Sequence, residues 1–287
     1  MEASAKRRRT MEELQPWRPW DATPNAALVN IFCRLPIKAR FQILPLVCKS
    51  WADASRHSRC WASMIADSHY TSSSAFDDAF IKESYPYCSS FADPFDWHRN
   101  VDPCFGVHKL QALIDRAGGG TEVTSLYFFP FLTSTSGPPN DDALLRLIAQ
   151  SCPNLRHLSF HGSYVATEGA VLEVIYRCRK LELIDFAGSP YFTPKVLKEV
   201  SACCPNLRGI RGHGILDPSI VSILSAGFPN LRILNLSHST IVDKDLLDIV
   251  TKRTGLQYLD ITNCPRLRMY MYIIKGALSQ IAEIIYD

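Results

Sequence analysis

Hydrophobic residues in the second half of the chain recur on two periods at once. Short phrases with apolar first, fourth and sixth positions run from Leu155 to Phe160, Leu181 to Phe186, Leu207 to Gly212, Leu231 to Leu236 and Leu256 to Ile261; Gly212 is the one departure. They return at steps of 26, 26, 24 and 25 residues, and Val123 to Phe128 supplies a sixth copy. Between them, apolar pairs stand at helical spacing: Leu145 and Ile148, Val171 and Val174, Leu197 and Val200, Val221 and Leu224, Leu246 and Ile249. Each unit therefore predicts one short strand and one helix. Thr193-Pro194 and Asp217-Pro218 place a capping side chain before a proline at the first helical position, and Asn140 or Asp141, Thr167 and Asp243 hold the equivalent places. The helices stop at Cys152-Pro153-Asn154, Cys204-Pro205-Asn206 and Phe228-Pro229-Asn230, with Cys178-Arg179-Lys180 a looser copy.

Residues 17–64 follow another pattern. Pro24 leads into Leu28, Ile31, Phe32 and Leu35, a helical stripe closed by Pro36; the apolar run Phe41 to Val47 then reaches Cys48-Lys49-Ser50-Trp51, and Trp61 follows. These are short amphipathic helices with too little core to stand alone, so the module is expected to fold against a partner. Residues 1–16 read as a basic, disordered terminus. Residues 65–104, rich in Ser, Asp and aromatics, read as a packed connecting segment. Residues 105–287 form the repeat array, with Val107, Leu110, Leu113 and Ile114 as a capping helix ahead of Gly118-Gly119-Gly120, and residues 133–139 inserted as a loop.

Composition narrows the class. The 287 residues are 47% hydrophobic, ample for ordinary cores, and the net charge of +3 is small. The basic excess is at the front, where residues 1–70 carry 11 Lys/Arg against 6 Asp/Glu. The repeats are nearly balanced, which argues against nucleic acid as a partner. No apolar run has signal-peptide or transmembrane length, so the expected location is intracellular, in nucleus, cytoplasm or both, without membrane contact. Lys6, Arg7, Arg8 and Arg9 match a nuclear localisation run but equally a solvated basic terminus. Ten cysteines without a Cys-x-x-Cys pair point to reduced, buried thiols and no metal site.

The repeat step resembles that of leucine-rich repeats, which recur roughly every 20–29 residues. The Cys-Pro-Asn-Leu phrases, with Cys264 at a strand end and Ser163, Ser189 and Ser239 at equivalent positions, resemble the cysteine-containing class. The implied fold class is α/β: a small all-helical module followed by a solenoid, with parallel strands on the concave face and helices on the convex face. The front module resembles an F-box in Thr23-Pro24, Ile31-Phe32-Cys33-Arg34-Leu35-Pro36, Val47-Cys48-Lys49-Ser50-Trp51 and Trp61, and the order of modules is similar to that of plant F-box/LRR-repeat proteins. That resemblance implies a non-catalytic subunit of an SCF-type ubiquitin ligase. Its F-box would dock a Skp-type adaptor, and through it cullin and RING subunits, while the repeats hold a protein to be ubiquitinated. Adaptor contacts implied by the motif are Pro24, Leu28, Ile31, Leu35, Pro36, Val47, Cys48, Trp51 and Trp61. Against the pattern, Thr23 replaces a Leu, Ala26-Ala27 replaces Glu-Leu, the stretch from Pro36 to Val47 is one residue longer than the commonest spacing, and Pro45 interrupts the second helix. A non-ligase interaction scaffold with a degenerate F-box is the alternative.

On the repeat strands, residues between the inward apolar positions stack into columns facing the concave side. The first is Arg156, Glu182, Arg208, Arg232 and Gln257; the middle is His157, Leu183, Gly209, Ile233 and Tyr258; the third is Ser159, Asp185, Arg211, Asn235 and Asp260. His157, Leu183, Asp185, Arg211, Ile233, Asn235, Tyr258 and Asp260 are the expected substrate-binding residues, an apolar centre within a polar rim. No catalytic residue is assigned: the glycine run at 118–120 lacks a following Lys-Ser/Thr, there is no Gly-x-Ser-x-Gly, and the histidines lack metal spacing, so neither cofactor nor metal is expected.

Overall fold

Each predicted strand phrase becomes a three-residue strand in one parallel sheet. A computed structural model describes residues 20, 23–35, 39–65, 107–127, 141–160, 166–187, 189–267, 276 and 278–286. The expected basic terminus, Lys6 to Arg9, Pro36, nearly all of the connecting segment, the 133–139 loop, Asn140 and Ser163 lie outside the described residues.

The front module comprises α1 (Asn25–Phe32), a π-helical turn (Ala39–Ile43), α2 (Leu44–Val47), α3 (Lys49–Ser55) and a 3-10 turn (Ser58–Trp61). The solenoid continues as β1 (Ser63–Ile65), α4 (Val107–Arg116), β2 (Ser125–Tyr127), α5 (Asp141–Ser151), β3 (His157–Ser159), α6 (Glu168–Arg177) and β4 (Leu183–Asp185). It ends with α7 (Pro194–Cys203), β5 (Gly209–Arg211), α8 (Pro218–Ala226), β6 (Ile233–Asn235), α9 (Asp243–Lys252), β7 (Tyr258–Asp260) and β8 (Glu283–Ile285). The strands lie in sequence order, all parallel, so the chain turns the same way at every unit. Cα register sets Leu126, Leu158, Ile184, Ile210, Leu234 and Leu259 in one buried row, and the predicted helix pairs are buried opposite them.

The stop phrases form ladders that tie successive units together. Cys178 Sγ donates to Cys152 O at 3.4 Å and Cys204 Sγ to Cys178 O at 3.9 Å. Asn154 Nδ2 reaches Thr121 O at 2.8 Å, and Asn230 Nδ2 reaches Pro205 O at 2.9 Å. Cys152 O and Cys178 O also accept from Leu155 N and Leu181 N at 3.2 Å, so each thiol adds a second bond to a turn carbonyl of the preceding unit. Where the last unit has neither Cys nor Phe, Arg253 takes the position. It is buried and donates from Nε to Leu224 O at 3.0 Å and from Nη1 to Phe228 O. Desolvation lowers the pKa of its guanidinium.

Thr167, Thr193 and Asp217 cap their helices as expected, with Asp217 Oδ1 accepting from Ser219 N at 2.7 Å and Ile220 N at 3.0 Å. Asp243 does not: Val242 is the cap residue, and Asp243 stands inside the first turn with Asp245, where negative charge favours the helix dipole. Two glycines of the Leu207 unit, Gly209 and Gly212, are closely packed. A Cβ on Gly212 would sit 2.3 Å from the Phe192 ring, and one on Gly209 2.2 Å from Leu183 Cδ2. Each glycine makes room for a large side chain from the preceding unit.

The first strand spans the end of the front module. β1 begins at Ser63 and pairs with β2, while Thr124 N donates to Ala62 O at 2.7 Å. The front module, and not α4 alone, therefore covers the first edge of the sheet. Pairing with β1 gives the outer side of β2 its backbone partners. A second strand beyond the sequence reading, β8, closes the far end against β7.

Candidate interaction surfaces

The first surface is the front module, whose motif residues divide by burial. Leu28, Val29 and Phe32 line the inward face of α1, and Trp61 is 1% exposed with Nε1 donating to Ser55 O at 2.8 Å. Arg40 is buried beneath them and donates from Nη1 to Cys60 O. Trp51 is half-buried, edge-on to Phe32 at 5.1 Å and to Trp20 at 5.8 Å between ring centroids. Leu35 and Cys48 are likewise half-buried. Of the implied adaptor contacts, Leu28 and Trp61 are core, and Pro24, Ile31 and Val47 are exposed.

Ile43 at 56% and Leu46 at 84% exposure join Ile31 and Val47 on the outside. Most of the large exposed hydrophobic side chains described in this protein belong to this small module. The motif reading missed Ile43 and Leu46, although the unbroken apolar run Phe41 to Val47 was a usable signal: seven successive apolar or amide residues cannot all face one small core. Pro45 does not break the run. It sits in the first turn of α2, where its missing amide costs no intrahelical bond. The extra residue relative to the family spacing falls in a stretch that includes the π-helical turn, a geometry that accommodates one-residue insertions.

The second surface is the strand face. Its register is as expected, but its middle and third columns are closed. His157, Leu183, Ile233 and Tyr258 are between 0% and 7% exposed, and Asp185, Asn235 and Asp260 between 0% and 5%. Leu183 lies across the space left by Gly209, and His157 Nδ1 shares a 2.9 Å hydrogen bond with Ser125 Oγ. The third column bonds along itself: Ser159 Oγ donates to Asp185 Oδ2 at 3.1 Å and Asn235 Nδ2 to Asp260 Oδ2 at 2.8 Å, with Arg211 3.8 Å from Asp185. The same side chains cap the turns that follow, accepting from Ala187 N at 2.8 Å, Ser237 N at 3.0 Å and Thr262 N at 3.0 Å. These polar residues hold the strand ends together rather than standing open as a rim.

The first column stays accessible. Arg156, Arg232 and Gln257 are exposed, and Glu182 accepts from Arg156 Nε at 2.5 Å and from Arg208 Nε at 3.1 Å. Its formal charge is net positive. Burial, helped by Arg208 and Arg156, pulls the pKa of His157 down to about 3. The folded chain thus resists a proton that the unfolded chain takes near pH 6.5, and stability falls as pH drops below that value. Between pH 6.5 and 5 we expect His157→Gln to flatten the stability profile by about 1.4 kcal/mol per pH unit, measured by urea unfolding. Parallel profiles for the two proteins would exclude this role for His157.

Among the described residues no group of three or more His, Cys, Asp or Glu is arranged to hold a metal ion, and no helix is long and apolar enough to cross a membrane. No family model matches the chain. The proteins it is similar to include three of Arabidopsis thaliana. The F-box protein SKIP1 is 24% identical over 269 residues, covering 86% of this chain and 80% of that protein. F-box protein FBW2 is 22% identical over 262 residues, 88% of this chain and 71% of the relative. The F-box/LRR-repeat protein At3g48880 is 23% identical over 252 residues, 86% and 72% respectively. Among solved structures, an internalin from Listeria monocytogenes aligns with 58% of this chain and 57% of its own at 14% identity and a TM-score of 0.35.

Proposed function

We propose, from the order of its own motifs, its parallel repeat sheet and 22–24% identity over most of the chain to plant F-box proteins, one of them an F-box/LRR-repeat protein, that this protein is the substrate-recognition subunit of an SCF-type ubiquitin ligase. The observation that carries the reading is the division of the front module. Leu28, Phe32 and Trp61 build its core, while Ile31, Ile43, Leu46 and Val47 are left in water. Exposed side chains of that size in so small a module are a docking surface in need of a partner. A Skp-type adaptor is the partner the resemblance indicates, and cullin and RING subunits would follow through it.

The strand face then holds the protein to be ubiquitinated, and its first column makes Arg156, Arg208 and Arg232 the leading contacts, with Glu182 holding Arg156 and Arg208 in place. Leu183, Ile233 and Tyr258 shape the face from beneath. In this arrangement the chain itself performs no chemistry; it raises the effective concentration of a target lysine beside a charged conjugating enzyme. The test is co-purification of the full-length chain with a Skp-type adaptor. The wild type is expected to form a stoichiometric complex. Leu46→Asp combined with Ile43→Asp should weaken it at least a hundredfold while leaving the unfolding midpoint nearly unchanged, since both side chains are already solvated. A wild-type protein that forms no complex would remove the ligase reading.

A further inference from the structure

The front module holds two thiols in contact. Cys33, at the last turn of α1, has its Sγ 4.0 Å from Sγ of Cys60 in the 3-10 turn, 27 residues away. Cys33 is half-buried, within reach of small solutes, whereas Cys60 is fully buried and its thiol points at Ala54 O at 3.5 Å and Val29 O at 3.9 Å. We propose that Cys33 and Cys60 are a peroxide-oxidisable pair, Cys33 the attacking sulfur and Cys60 the resolving one.

The surroundings distinguish these two roles. The neighbouring Cys60 thiol and the positive charges of Arg59 and Arg40 favour the Cys33 thiolate, lowering its pKa to about 6, while the Cys60 thiol is pushed up by its contact with Cys33 and by burial. The thiolate is the nucleophile, so Cys33 is the sulfur that meets the oxidant. The ladder thiols of Cys152, Cys178 and Cys204 are raised to about 12 by burial and remain protonated.

In the first step the Cys33 thiolate attacks one oxygen of hydrogen peroxide, the O–O bond breaks, and hydroxide leaves and takes up a proton as water. Cys33 is then a sulfenic acid. In the second, the Cys60 sulfur gives up its proton and attacks the Cys33 sulfur; the S–O bond breaks, a second water leaves, and the S–S bond forms. Two thiols and one peroxide become one disulfide and two waters, the two electrons passing from sulfur to oxygen. For the bond to form the sulfurs must close from 4.0 Å to about 2.0 Å. The bond would enclose the π-helical turn, α2 and α3, and so would lock the segment that carries Ile43, Leu46 and Val47. Nothing in this chemistry depends on the ligase reading.

The test uses the full-length reduced protein, treated with excess hydrogen peroxide, digested without reduction and mapped by mass spectrometry. A Cys33–Cys60 linked peptide is expected as the principal product and should disappear on treatment with dithiothreitol. In Cys60→Ser, Cys33 should accumulate as a sulfenic acid trapped by dimedone; in Cys33→Ser, no dimedone adduct should form on Cys60. Absence of the linked peptide from the oxidised wild type overturns the pair, and a dimedone adduct on Cys60 overturns the assignment of roles. If either serine variant misfolds, mapping of the wild type decides alone.

Discussion

Replacing Trp61 by alanine is expected to destabilise the chain by about 3–5 kcal/mol, near the upper end for a single core truncation. Three contacts disappear together: the packed ring itself, the 2.8 Å bond from Nε1 to Ser55 O, and the Arg116 guanidinium stacked 5.6 Å from the ring centroid. The ring stands where the front module meets the solenoid, one residue before the carbonyl that receives Thr124 N. Urea unfolding should therefore show a lower midpoint, and hydrogen exchange should quicken in β2 and β3 as well as in α3. Trp61→Phe, which keeps an aromatic ring but no donor, should lose only about 1–2 kcal/mol. If exchange in β2 and β3 is unmoved by Trp61→Ala, the front module does not cap the sheet.

Gly120→Ala is expected to cost about 3–5 kcal/mol through a different cause. Gly118, Gly119 and Gly120 all have positive φ, at 81°, 87° and 90°, in the turn that carries α4 back to β2. A Cβ on Gly120 would lie 2.3 Å from Ser151 O and 2.9 Å from Ser151 C, backbone atoms with little freedom to move. Gly119 has nearly the same φ but nothing within 4 Å of its Cβ position. Gly119→Ala should thus pay the backbone strain alone, about 1–2 kcal/mol, and the difference between the two variants measures the close approach. Equal unfolding midpoints for the pair would show that the contact with α5 is not tight.

Features that depend on a repeated local rule were legible in the chain. Thr193-Pro194 and Asp217-Pro218 start helices because a side-chain oxygen and a missing amide both suit a helix entrance. The buried pairs from Leu145 and Ile148 to Leu246 and Ile249 follow from helical spacing, and the strand phrases from alternation. Features that depend on what the neighbouring unit contributes were not legible. Gly212 looks like a weak strand until Phe192 is seen in its place, and Arg253 looks like a surface charge until it replaces a Cys or Phe in the ladder. Alternation along the strands shows which residues share a column but not their burial, because Asp185, Asn235 and Asp260 find partners one strand away and two residues ahead.

By itself the sequence determined the unit, its 24 to 26 residue step, the parallel stacking that such a step requires, and the presence of a second module whose motifs resemble an F-box. Periodicity and capping act within one turn or one strand, so they can be read from the chain alone. Only the tertiary structure decided that β1 and Trp61 join the front module to the sheet, that Ile43 and Leu46 are the exposed members of an apolar run, and that Cys33 meets Cys60. Each of these is a contact between segments far apart in sequence, and which face of a short helix is left in water depends on what packs against the other.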